Sequence, residues 1–169
     1  QQEVAEMAQR SIKLNNLENR FEIINKNIKD LESVFDKNSF DFIITNPPYK
    51  KMDTGKTNEN SKKLISRHEI TATLKDFIKI SYIMLKDKGT LYMVHKPERL
   101  VDIIYQLRKN KIEPKEIRFV HPYEKKEPNL ILIKAVKNGG QFLKIDKPLY
   151  VYNERGEYTE EILKIYNKM

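Results

Sequence analysis

Phe40-Asp41-Phe42-Ile43-Ile44-Thr45-Asn46-Pro47-Pro48-Tyr49 decides the reading of this chain. Its first six residues form an apolar run that reads as a buried strand. Two consecutive prolines then fix φ twice and delete two backbone donors, so the segment neither extends a sheet nor starts a helix at Asn46. The strand therefore runs into a stiff corner. That corner offers an amide, free backbone carbonyls and an aromatic face just past the strand's carboxyl end, where open α/β sheets bind ligands.

Those groups suit the holding of a planar amino group. An exocyclic amine has two N–H donors. The Asn46 side-chain oxygen and the Pro47 carbonyl supply two acceptors, and Tyr49 supplies a face for a ring to stack on. Accepting from both hydrogens makes the nitrogen more nucleophilic and holds it in line with an electrophile. The plainer alternative is an Asn-initiated turn whose prolines end a strand.

Upstream, Gln2 to about Asn16 reads as a helix with Val4, Ala5, Met7, Ala8, Ile12 and Leu14 on an apolar side. Phe21 to Asn25 reads as a short strand, and Ile28, Leu31, Val34 and Phe35 as a brief helix. Downstream, Lys50 to about Ser66 is polar and predicts a long loop, either a functional one that is mobile when empty and ordered over a bound ligand or a plain solvated insertion. Glu69 to Leu85 predicts a helix, with Gly89 as its stop. Thr90 to Val94 is the next strand, and Pro97 opens the following helix with Leu100, Ile103, Ile104 and Leu107 inward. Ile117–Val120 and Leu130–Val136 are strands with no helix between them, which predicts antiparallel neighbours. Leu149 to Tyr152 reads as an edge element and Thr159 to Tyr166 as a terminal helical turn or two. The alternation predicts an α/β parallel sheet in a single domain over residues 1–169.

Composition narrows the function classes. With 39% hydrophobic and 33% charged residues the chain is globular, and no apolar stretch approaches the length of a membrane span. The absence of cysteine excludes disulfides and thiolate metal sites and fits a reducing cytoplasm. His68, His95 and His121 are scattered, so no metal centre is expected. A net charge of +8 favours a polyanion. Lys50, Lys51, Lys56, Lys62 and Lys63, which flank the corner, turn that preference toward nucleic acid.

At this corner the chain resembles the amino-group methyltransferases that use S-adenosylmethionine. Glu3-Val4-Ala5-Glu6-Met7-Ala8, Arg67-His68-Glu69, Lys96-Pro97-Glu98-Arg99-Leu100, Phe119-Val120-His121-Pro122 and Pro128-Asn129-Leu130-Ile131-Leu132 resemble, more narrowly, the bacterial tRNA(Val) adenine-37 N6-methyltransferases. Lys96 departs from a pattern that more often carries Arg, keeping the charge but losing the bidentate fork. The resemblance implies a Rossmann-like class I methyltransferase sheet with a C-terminal antiparallel strand pair, S-adenosylmethionine as cofactor and tRNA as partner. It implies that Asn46, Pro47, Pro48 and Tyr49 are catalytic. Asn27 falls where the family, more usually with Asp, recognises the cofactor's adenine; a helix N-cap is its other reading. Lys50, Lys51, Arg67 and His68 are candidate RNA contacts.

The family's glycine-rich turn and ribose-binding acid have no counterpart here: Gly55, Gly89, Gly139, Gly140 and Gly156 never follow a strand as Gly-x-Gly before a helix. The expectation is a domain incomplete at its N-terminal side, inactive alone. An upstream piece remains associated, or the chain self-associates along an unpaired strand. DNA adenine and protein-glutamine methyltransferases share the Asn-Pro-Pro-Tyr corner and remain alternatives, as does a non-catalytic RNA-binding module.

Overall fold

The run before the corner forms strand β1 (Phe40–Thr45). In the computed structural model, which describes residues 2–49 and 72–167, β1 lies parallel to β2 (Leu85–His95), with Ile43 opposite Leu91 and Thr45 opposite Met93. Parallel neighbours need a crossover, and helix α2 (Leu74–Met84) stands between them in the chain. β4 (Leu130–Lys137) pairs antiparallel with both β2 and β3 (Ile112–His121). The two-residue strands β5 (Lys144–Ile145) and β6 (Leu149–Tyr150) run parallel to β3. The order is β1-β2-β4-β3-β5, with β6 also on β3. This is the expected mixed α/β sheet with its closing antiparallel pair.

Helix α2 and helix α3 (Leu100–Lys109) bury their apolar stripes on one face, where Leu74, Ile78, Leu91, Met93, Ile103, Leu107, Ile131 and Ile133 form the main core. At the β3 end a second cluster, Val120, Leu149 and Ile162, seats the short helix α4 (Glu160–Ile165). Among the described residues no helix is long and apolar enough to cross a membrane.

Three expectations change. The predicted helix start at Glu69 lies outside the described residues, and α2 begins at Leu74 behind a capping box. Thr73 Oγ1 accepts from the Asp76 N–H at 3.3 Å, and Asp76 Oδ2 accepts from the Thr73 N–H at 2.8 Å. Gly89 is no helix stop. α2 ends at Met84, and β2 bulges between Leu85, opposite Phe40, and Thr90, opposite Phe42. Gly89 lies in that bulge because a Cβ there would meet the Lys86 carbonyl at 2.9 Å and the Asp41 carbonyl at 3.0 Å. Phe21 to Asn25 forms no strand. A strand needs a ladder partner, and among the described residues β1, at the end of the sheet, pairs only with β2.

The N-terminal part is thinly packed. Helix α1 (Gln2–Leu14) buries none of its residues, although it is strongly amphipathic. On β1, Phe42 and Ile44 are 61% and 72% exposed, so one face of an edge strand carries uncovered apolar side chains.

Candidate active site

Because β1 and β2 are parallel, their carboxyl ends meet at one edge of the sheet. β1 delivers Asn46-Pro47-Pro48-Tyr49 there, and β2 delivers His95 and Lys96. Pro47 is buried, Asn46 and Pro48 are exposed, and Tyr49 is half-buried. The corner is thus anchored by one proline and presents its amide outward.

The end of β2 clasps the corner. Tyr49 packs edge-on against the His95 ring, with centroids 5.0 Å apart and planes at 62°. Arg99 Nη1 donates to the Tyr49 carbonyl at 3.2 Å, while its Nε donates to Asp102 Oδ2 at 2.9 Å. Pro97 starts the short 3-10 turn Pro97–Arg99 and so aims Arg99 back at the loop. Lys96 Nζ lies 5.7 Å from the Tyr49 ring centroid and donates to the Asn129 carbonyl at 3.2 Å, tying the corner to the residue that precedes β4.

His95 is fully buried. Its Nδ1 accepts from the Lys96 N–H at 2.8 Å, and Nε2 has no hydrogen-bond partner. Burial first, and the Arg99 charge second, hold its pKa below the ordinary imidazole value. The Lys96 and Pro48 backbones and Glu98 pull the other way without reversing this. The ring is therefore neutral near pH 7, and an accepting Nδ1 puts its hydrogen on Nε2.

Asn27 caps the 3-10 turn Ile28–Ser33, its Oδ1 accepting from the Lys29 N–H at 3.0 Å. That oxygen keeps one lone pair, and the amide hydrogens remain for a ligand. Lys50, Lys51, Arg67 and His68 lie outside the described residues, as do Lys56, Lys62 and Lys63. Beside β1 a cavity of about 350 Å³ is lined by Leu31, Phe35, Phe40, Ile43, Phe77 and other apolar side chains, with Thr45 and Ser81 as the polar residues among the described ones. Such a lining suits packing by apolar side chains better than a charged sulfonium nucleoside. Among the described residues no group of three or more His, Cys, Asp or Glu side chains could hold a metal ion.

Sequence reasoning named four corner residues, and the structure brings them to one edge together. Lys96 and Arg99 were legible only as part of a motif shared in pattern, and His95 was passed over. No sequence signal marks His95: the expected strand stops at Val94, and its place beside the corner comes from the pairing of β1 with β2.

The Eco57I restriction-modification methylase family matches residues 2–127, which include the corner and its clasp. A predicted O-methyltransferase from Agrobacterium tumefaciens is 20% identical, with 99% of this chain and 74% of that chain covered and a TM-score of 0.77. At that identity the shared property is the fold. A protein described as a putative DNA modification methylase from Thermus thermophilus is 18% identical over 72% of this chain, with a TM-score of 0.44, too low to argue from. This chain spans 56% of that protein's length. No curated protein matches the chain. S-adenosylmethionine, expected from the corner's resemblance, agrees with methylase chemistry, and the chain belongs to the Eco57I restriction-modification methylase family.

Proposed function

We propose that this chain is the amine-presenting part of an S-adenosylmethionine-dependent N6-adenine methyltransferase acting on tRNA. The observation that carries the reading is the exposed Asn46 on a corner held from beneath by Pro47, Tyr49 and Arg99. An adenine flipped from its stack enters beside the corner. Asn46 Oδ1 and the Pro47 carbonyl accept from its amino hydrogens, and Tyr49 supports the ring. The cofactor supplies a methyl group on a positively charged sulfur. The chain's residues fit the methyl end of that group: acceptors that concentrate the lone pair on nitrogen and a stiff loop that holds its direction. No side chain needs to take a proton beforehand, because the amine loses one after it has been methylated. Asn27 is the one candidate contact to the cofactor's adenine, and Lys50, Lys51, Arg67 and His68 are those to RNA.

The net charge of +8 supports a polyanionic substrate. The motifs that resemble those of the tRNA(Val) adenine-37 enzymes favour tRNA, whereas the restriction-modification family name favours a second reading, DNA adenine. Residues 1–169 are on this reading the C-terminal portion of a cytoplasmic catalytic domain, inactive alone. The edge of β1 that is unpaired among the described residues, with Phe42 and Ile44 exposed beside it, takes a further strand from an upstream piece or from a second copy.

Labelled-methyl transfer to tRNA and to DNA, by this chain joined to its upstream segment, tests the reading. Asn46→Ala should lower kcat by roughly a hundredfold or more while nucleic-acid binding stays within about twofold. Equal turnover by the variant removes Asn46 from the mechanism, and transfer to DNA alone replaces tRNA by the second reading.

A further inference from the structure

His95 lies buried beneath the corner, with a ring nitrogen that has no partner. A buried polar atom left unpaired costs about 1–3 kcal/mol, so its presence calls for a reason. Accepting from the Lys96 N–H gives Nδ1 a role but leaves Nε2 without one. The Lys96 N–H occupies Nδ1 at 2.8 Å, leaving Nε2–H as a free donor. Pro48 has no N–H, so its backbone can face the imidazole only with its carbonyl. That backbone is near enough to favour the protonated ring, yet it does not complete a hydrogen bond. The Pro48 carbonyl is thus the acceptor that the corner turns toward this ring, and hydrogen bonds of this kind commonly tighten only when substrate is bound. Tyr49, which would carry the substrate ring, rests on the same imidazole at 5.0 Å.

We propose that His95 is the positioning residue of the Asn-Pro-Pro-Tyr corner: its Nε2–H closes on the Pro48 carbonyl when a purine seats on Tyr49, bringing the Asn46 and Pro47 acceptors into register with the amine. This rests on the corner being the amine-holding element. The neutral ring donates one hydrogen bond and takes no proton from the substrate.

Nuclear magnetic resonance of the 169-residue chain tracks the Nε2–H signal and the Tyr49 ring signals during titration with adenosine monophosphate. The expected result is a downfield shift and slower exchange of Nε2–H, in step with the Tyr49 changes. Tyr49 signals that move while Nε2–H stays unchanged overturn the His95 proposal alone. Tyr49 signals that never move overturn the amine-holding reading and the proposal with it. In the methyl-transferring enzyme, His95→Phe should lower kcat about tenfold with KM for nucleic acid within about twofold, and His95→Gln, which returns an N–H near the Nε2 position, should recover most of the loss. A glutamine variant as slow as the phenylalanine variant, both folded by urea titration, also overturns it.

Discussion

Arg99→Ala removes the one side chain that, among the described residues, grips the corner through a charged hydrogen bond. Two contacts go with it: Nη1 to the Tyr49 carbonyl at 3.2 Å and Nε to Asp102 at 2.9 Å. The second contributes little. Asp102 is 41% exposed, and an ion pair that open to solvent is worth about 0–1 kcal/mol. The first comes from a guanidinium only 15% exposed and falls in the class of charged hydrogen bonds worth about 1.5–3 kcal/mol. Its length puts it at the low end of that range. About 2 kcal/mol of loop positioning is therefore lost, which corresponds to roughly thirtyfold in kcat if the corner must be in place in the transition state. Lysine at 99 should recover part of this, since it restores one donor without the fork. The assay is methyl transfer from labelled S-adenosylmethionine under saturating nucleic acid, with kcat and KM separated. An alanine variant within about twofold of wild type in kcat, or one that loses only KM, would refute the clasp.

Two further predictions concern stability. Lys137 is 5% exposed, and its ammonium donates to Asn38 Oδ1, the Tyr82 carbonyl and the Leu85 carbonyl at 2.7, 2.6 and 2.7 Å. Burial lowers its pKa below the ordinary 10.5, with Asp87 partly opposing. A folded value below the unfolded one makes the penalty full at low pH and relieves it as pH climbs toward 10.5, so this group makes stability rise with pH in the alkaline range. Lys137→Met should cost about 1–3 kcal/mol at pH 7 and remove that alkaline rise, read by urea unfolding at about pH 7, 9 and 10; an unchanged slope would count against it. Gly89→Ala drives a methyl group between the Lys86 and Asp41 carbonyl oxygens, at 2.9 and 3.0 Å. The expected cost is about 1–3 kcal/mol, a drop of several degrees in Tm by calorimetry, and an unchanged Tm would show that the bulge yields freely.

Much of the site is legible in residue order because proline acts locally. A φ locked twice and two missing donors end β1 at Asn46 whatever the rest of the chain does, so Asn46-Pro47-Pro48-Tyr49 reads the same before and after folding. The apolar stripe of α2 and the antiparallel β3–β4 pair are legible for the same reason: helical period and connection length are properties of short segments. Even the start of α2 is written in the sequence, as Thr73 with Asp76 three residues on, once that pair is read as a capping box.

What residue order could not supply is which segments become neighbours. Phe21 to Asn25 has strand composition but pairs with no strand among the described residues, so it stays irregular. Gly89 looked like a helix stop until β1 came within a methyl's reach of it. His95 and Arg99 lie 46 and 50 residues from Tyr49, and only the parallel pairing of β1 with β2 sets them beside it. A proline pair acts through its own bonds, whereas the clasp on it acts through contacts between distant segments, and those exist only in the folded chain.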